Sequence, residues 1–234
     1  MKAELGSEFS LPAAKVSVIP YGIYNNIPDT TMSIREAKRR LGIEGVSKTL
    51  LFFGNIAPYK GLEYLLESFA ELSKKDGSYR LIIAGQPKGS QEYWNQLHST
   101  IVQSAARDRI VDKIHYVPDA ETEWYFKAAD VLILPYTHIF QSGVLFLGYS
   151  FGLPAIAADV GSLKEEIVEG RTGFIFQPRD STDLAKTIDK YFASDLFREL
   201  GKRRAEIREY ANNRYSWSKV TKITKAVYAD LLAR

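Results

Sequence analysis

Cysteine is absent from the 234 residues, which excludes disulfides, a thiolate nucleophile and zinc sites built on sulfur. Histidine is scarce. His98, His115 and His138 lie far apart, without the spacing that puts two ligands on one helix turn, so no protein-ligated metal is expected. No apolar run approaches the roughly 18–20 residues that cross a bilayer, and the N-terminus lacks the apolar stretch of a secretory signal. The cytoplasm is the expected location. An imbalance of charge is missing too: 31 Lys and Arg face 28 Asp and Glu, for a net +3. That is too small and dispersed for nucleic acid to be the principal partner, while a local anionic ligand stays open. No Gly-x-Gly-x-x-Gly follows an apolar run and no Gly-Lys-Ser/Thr occurs, so the dinucleotide and P-loop fingerprints both fail.

What is present is a globular composition, 45% apolar and 25% charged, with enough chain to bury a full core. Residues 1–10 (MKAELGSEFS) are polar and aperiodic, with a Gly-Ser-Glu-Phe stretch of the kind cloning sites leave. They are read as a tag, and residues 11–234 as one domain. Past the tag, short apolar runs alternate with longer amphipathic stretches, the pattern of an α/β protein. The runs are Val16–Pro20, Leu50–Gly54, Leu81–Gly85, Ile114–Val117, Val131–Pro135, Pro154–Ala157 and Gly173–Phe176. Most are apolar throughout, as parallel strands covered on both faces require, and a sheet of about six strands is expected. Leu62, Leu65, Leu66, Phe69 and Leu72 fall on one helical stripe. Ser33 and Glu36 have capping-box spacing before a helix that ends near Gly42, and Gly152 with Pro154 stops another. From Asp183 onward the pattern is helical, broken near Arg214–Trp217. Tyr210, Tyr215, Trp217 and Tyr228 are read as packing residues. Lys202-Arg203-Arg204 reads as a solvated helix face, with peripheral contact to a membrane surface as the alternative.

In an open parallel sheet, ligands gather beyond the C-terminal ends of the strands. The loops there are Gly54–Gly61, Gly85-Gln86-Pro87, Pro118-Asp119 and Tyr136–Gln141, the last leading into Ser142-Gly143-Val144-Leu145. Ser142 and Gly143 stand where a helix should begin, and free N–H groups at a helix start attract phosphate. Lys60 could aim an ammonium at the same phosphates, its alternative being an exposed surface lysine.

The ordered motifs Val-Ile-Pro-Tyr-Gly (18–22), Phe-Gly-Asn-Ile-Ala-Pro-Tyr-Lys-Gly (53–61), Ala-Asp-Val-Leu-Ile-Leu-Pro-Tyr (129–136), Gln-Ser-Gly-Val-Leu (141–145), Gly-Leu-Pro-Ala-Ile-Ala (152–157), the Gly161–Phe174 stretch and Tyr-Ser-Trp (215–217) resemble the C-terminal half of a GT-B glycosyltransferase of family four. The likeness runs over residues 15–234. It implies a Rossmann-like domain that holds a nucleoside-diphosphate sugar, with a UDP-sugar favoured, and an acceptor-binding half that precedes it and is missing here. It also implies a reaction without a metal or other cofactor, in keeping with the lack of an Asp-x-Asp pair.

By the same resemblance, Gly54 and Lys60 lie beside the diphosphate, while the arginine often found in that loop has no counterpart, its place being taken by Asn55, a further candidate for donor binding, and Ala57. Gln86 belongs with the donor loops, and Tyr116, Val117 and Pro118 run along the base. The amides of Ser142, Gly143, Val144 and Leu145 meet the diphosphate and ribose. One departure is plain. The family carries two glutamates around this helix start, yet no Asp or Glu occurs between Tyr136 and Ala158. Ile139 and Leu147 fall at those positions, or Phe140 and Gly148 with a shift of one. Gln141 is the candidate that replaces the carboxylate, and Lys60 with Gln141 the catalytic pair. Glu165 and Glu166 are read as parts of a structural helix. The expected function is the donor half of a glycosyltransferase, inactive by itself. The alternative is a catalytically silent nucleotide-binding or interaction module of the same descent.

Overall fold

Lys48–Phe53 (β1) carries an unbroken apolar stretch, and in the computed structural model, which describes residues 6–24 and 26–233, it lies at the centre of the sheet. Tyr79–Ala84 (β2) and Val131–Leu134 (β4) flank it, both parallel to it. Ile110–Lys113 (β3) lies outside β2; Ala155–Ala158 (β5) and Gly173–Phe176 (β6) lie outside β4. The order 3-2-1-4-5-6 is all parallel, which makes the expected Rossmann-like α/β sheet. The first five residues of the supposed tag lie outside the described residues.

Helix Leu62–Lys75 (α2) buries Leu62, Leu65, Leu66, Phe69 and Leu72, the stripe its spacing predicts, and packs against Ser181–Ala193 (α7). Ile34–Arg40 (α1) is capped by Ser33, whose hydroxyl accepts from the Glu36 N–H, and packs against Asp119–Ala128 (α4). The other helices are Gln91–Gln103 (α3), Gly143–Ser150 (α5), Leu163–Glu166 (α6), Asp195–Arg198 (α8), Leu200–Tyr215 (α9) and Trp217–Leu232 (α10). The expected break between the last two falls at Ser216. Helices on both faces exclude water from β1, β2 and β4, which is why their side chains are apolar at nearly every position.

Two of the expected strands are corrected. Val16–Pro20 pairs with no strand, and Val18 is 60% exposed. The chain just beyond it is tied to the α9–α10 break, where the Ile23 N–H donates to the Tyr215 carbonyl and Trp217 Nε1 donates to the Ile23 carbonyl. Ile114–Val117 is also not a strand; β3 ends just before it. As an edge strand, β3 is buried fully only at Ile110 and carries Asp112 and Lys113, so its polar composition hid it from a search for continuous apolar runs.

The basic stretch in α9 is corrected in part. Arg204 is buried, and its guanidinium donates to the carbonyls of Phe126, Ala129 and Phe151. Lys202 and Arg203 do stay at the surface, paired with Glu206 and Glu199. Of the aromatics read as packing residues, Tyr215 is buried, whereas Tyr228 is 63% exposed. The reason is geometric: of α10 only Val220 is buried.

Candidate functional site

The connection after β1 runs to one neighbour and that after β4 to the other, so the two loops diverge at the carboxyl ends of adjacent strands and leave a crevice. A cleft of about 220 Å³ opens there, lined by Phe53, Gly54, Asn55, Lys60, Gly85, Gln86, His115, Tyr116, Val117 and Val144. Seven of the residues picked from the sequence are therefore brought together by the fold. Gly54 is where the first loop meets the α5 start: a Cβ placed on it would stand 3.5 Å from Val144 Cγ2.

Lys60 closes a 3-10 turn, Pro58–Lys60, and Gly61 follows in the left-handed region at φ 63°. A side chain at Gly61 would lie 1.9 Å from the Pro135 carbonyl oxygen, so only glycine lets this turn press against the end of β4. The turn carries Lys60 inward. It is 6% exposed, which rules out the surface reading. Its Nζ donates to the Tyr136 hydroxyl at 2.7 Å and lies 4.0 Å from the centre of that ring. Among the described residues no carboxylate stands within 4.0 Å of it. Burial pushes its pKa down to about 8, because a cation loses hydration there without gaining a counter-charge.

Ser142 is buried, with its Oγ 3.3 Å from the Tyr136 hydroxyl, and no side chain caps the start of α5. Leu145 belongs to the core, so it can offer a ligand only its backbone. Pro118 precedes α4 at the surface, beside the cleft but not in its wall. Gln141 faces elsewhere: it lines a separate cavity of about 680 Å³ with Val16–Pro20, Ser162, Glu165 and Arg214. Ile139 and Leu147, at the positions of the family's glutamates, are half-buried against the core, and Phe140 is 82% exposed. Among the described residues no carboxylate lines the 220 Å³ cleft. Glu166 bonds the Tyr215 hydroxyl, in keeping with a structural helix.

Sequence reasoning missed three groups. Tyr136 was passed over, although its place directly after a buried strand at the switch point was a usable signal. His115 was seen only as a scarce histidine. The third is a phenol pair: Tyr21 and Tyr24 share a hydrogen bond of 2.5 Å, and a Cβ on Gly143 would meet the Tyr24 hydroxyl at 3.1 Å. The bond to Tyr21 and burial lift the Tyr24 pKa to about 12, so it stays protonated. Nothing local ties residues 21–24 to residue 143, and only the folded chain reveals the contact.

Among the described residues, no group of three or more His, Cys, Asp or Glu side chains could hold a metal ion, and no helix is long and apolar enough to cross a membrane. A parallel sheet with a crevice at its switch point, a buried lysine in that crevice and an open helix start beside it make a Rossmann-like α/β domain of the GT-B kind. The chain belongs to the group 1 glycosyl transferases, whose family model matches residues 33–214.

Its relatives agree. An uncharacterized glycosyltransferase of Methanocaldococcus jannaschii is 28% identical over 231 residues, 97% of this chain and 57% of its own length. A D-inositol 3-phosphate glycosyltransferase of Pseudarthrobacter chlorophenolicus is 29% identical over 229 residues, 97% of this chain and 53% of its own. The chain thus spans little more than half of these curated relatives. Among solved structures, Anabaena HepE in complex with UDP superposes with a TM-score of 0.80 at 20% identity, covering 97% of this chain and 60% of that one.

Proposed function

We propose that this domain holds the nucleoside-diphosphate end of a sugar donor, a UDP-sugar, in a family-four glycosyltransferase whose preceding half binds the acceptor. One observation carries the reading: the Lys60 ammonium is buried at the crevice with, among the described residues, no carboxylate beside it. A desolvated cation without a counter-ion favours an anionic ligand strongly, because burial removes the competing water. The diphosphate would lie between Lys60, Gly54 and the first amides of α5, with the nucleoside toward His115, Tyr116 and Val117. The sugar would extend past the helix start toward Gln141 and its neighbouring cavity.

Catalysis follows from charge. As the bond from sugar to diphosphate breaks, negative charge grows on the leaving oxygens, and Lys60 with the helix-start amides is preorganised to receive it. No nucleophile on this chain is required. Gln141 supplies neutral hydrogen bonds to the sugar in place of the carboxylate that the family resemblance implies. The acceptor and exclusion of water come from the other half, so this chain alone binds donor and transfers nothing at a useful rate. The reaction is placed in the cytoplasm, any membrane contact being made through that other half.

In support, HepE holds UDP, and the curated relatives are named glycosyltransferases. Calorimetry with UDP, GDP, ADP and their sugars tests the donor: UDP and its sugars should bind most tightly, and no binding by any of them overturns the reading. The carboxylate-free cleft favours one second reading, a silent module. Joining the natural N-terminal half and measuring UDP release with a crude acceptor pool separates the two. Turnover lost in Lys60→Ala and Gln141→Ala supports the enzyme, and binding without mutant-sensitive turnover supports the silent module.

A further inference from the structure

Tyr136 is fully buried at the end of β4 and stands between Lys60 and the start of α5. Its hydroxyl accepts from Lys60 Nζ at 2.7 Å, and its ring lies under the same ammonium. The Tyr59 ring meets it edge-on at 6.4 Å, and the Thr137 N–H donates to the Tyr59 carbonyl at 2.9 Å. The loops after β1 and β4 are therefore stitched together around this one side chain.

Ser142 adds a second observation. It occupies the N-cap of α5, and serine there normally accepts from an amide of the first turn. Here it makes no such bond; its Oγ lies 3.3 Å from the Tyr136 hydroxyl. The ammonium has only donors, so Tyr136 accepts from Lys60, and its hydroxyl pairs with that of Ser142, where either oxygen can donate. Because Ser142 is turned toward Tyr136, the first amides of α5 have no side-chain cap and are left for a ligand.

We propose that Tyr136 is a positioning residue for the diphosphate: wedged between Lys60 Nζ and Ser142 Oγ, its hydroxyl fixes the ammonium over the crevice and keeps Ser142 off the helix amides. The proposal rests on the nucleotide-binding reading above. Tyr136 acts through Lys60 and Ser142 and touches no substrate itself. The groups facing Lys60 are Tyr59 from its own turn, Tyr136 from the loop after β4, and Ser142 beyond Tyr136 at the start of α5. The histidines near them are His115 in the cleft wall and His138, whose ring is 5.7 Å from that of Tyr59.

Calorimetry of UDP binding between pH 6.5 and 9 tests this with wild type, Tyr136→Phe, Lys60→Met and the double variant. Tyr136→Phe should bind UDP about tenfold more weakly at neutral pH, the scale of one hydrogen bond to a charged group. The double variant should be no weaker than Lys60→Met alone. The pH at which affinity fails should also move downward in Tyr136→Phe, since the ammonium loses its acceptor while burial remains. Should Tyr136→Phe not fold, Ser142→Ala serves instead: about a threefold loss that disappears in the Lys60→Met background. Affinity within twofold of wild type at every pH overturns the proposal. So does an equal penalty with or without Lys60, which marks a packing role. Wild type that binds no nucleoside diphosphate removes the nucleotide reading itself, and the proposal with it.

Discussion

Gly85 stands so close to Gly54 that a Cβ on it would lie 1.8 Å from the Gly54 carbonyl oxygen. The two residues follow β2 and β1, and their backbones form the floor of the crevice. Gly85 also has φ 146°, outside the range other residues adopt with ease. Gly85→Ala should therefore cost about 2–4 kcal/mol and weaken nucleotide binding as the two loops part. Gly77→Ala, where a Cβ meets nothing within 4 Å, should be close to neutral. Urea unfolding of both variants decides it; equal midpoints would show that the floor is not held this tightly.

Lys60 makes stability depend on pH in a stated direction. Its folded pKa of about 8 lies below the ordinary value of 10.5, so between them the unfolded chain binds more protons and stability rises with pH. The cost of burying the ammonium is present in full below pH 8 and fades as pH rises from 8 toward 10.5. Without ligand, Lys60→Met should be more stable than wild type by up to about 3 kcal/mol at neutral pH, the gap closing above pH 8. UDP affinity should run the other way, failing in wild type as pH passes about 8. A pH-independent gap would mean that Lys60 is not desolvated.

Arg204 and Lys202 should separate sharply although they are neighbours. Arg204→Met strands the carbonyls of Phe126, Ala129 and Phe151 and removes a positive charge near the buried Asp130, whose carboxylate is bonded by the Thr49 N–H. A loss of about 3–5 kcal/mol is expected, against less than about 0.5 for Lys202→Ala at the surface. Thermal unfolding of the pair checks this, and similar losses would return the stretch to a solvated face.

Gln141 and Lys60 should divide the donor between them. Gln141 lines the 680 Å³ cavity and Lys60 the 220 Å³ cleft, so Lys60→Ala should weaken UDP and UDP-sugar alike, by about 1.5–3 kcal/mol. Gln141→Ala should leave UDP unchanged and erase any extra affinity gained from the sugar. Competition calorimetry with both ligands measures the split. A loss of UDP binding in Gln141→Ala would put its amide on the diphosphate instead.

Legibility followed range. The apolar runs of β1, β2 and β4, the stripe from Leu62 to Leu72 and the Ser33 cap are patterns within a few residues, and each formed as its pattern predicts. Seven residues of the cleft were legible too, since the carboxyl ends of such strands are where a crevice must open. Edge strand β3 was not, because a strand packed on one side carries charges that look like loop.

By itself, then, the sequence determined the α/β class, the parallel sheet, its glycine turns and the loops among which a ligand would sit. Tertiary structure decided what Lys60 is. Its partner Tyr136 lies 76 residues away, and whether a lysine meets water or a buried phenol depends on two loops meeting across β1 and β4. The same holds for Arg204, whose carbonyl partners come from α4 and the turn after α5, and for Gln141, which the α5 start turns away from Lys60. Periodicity within one segment records which face is buried. It carries no record of which distant polar group will be waiting there, and that pairing sets the charge, donors and pKa of the site.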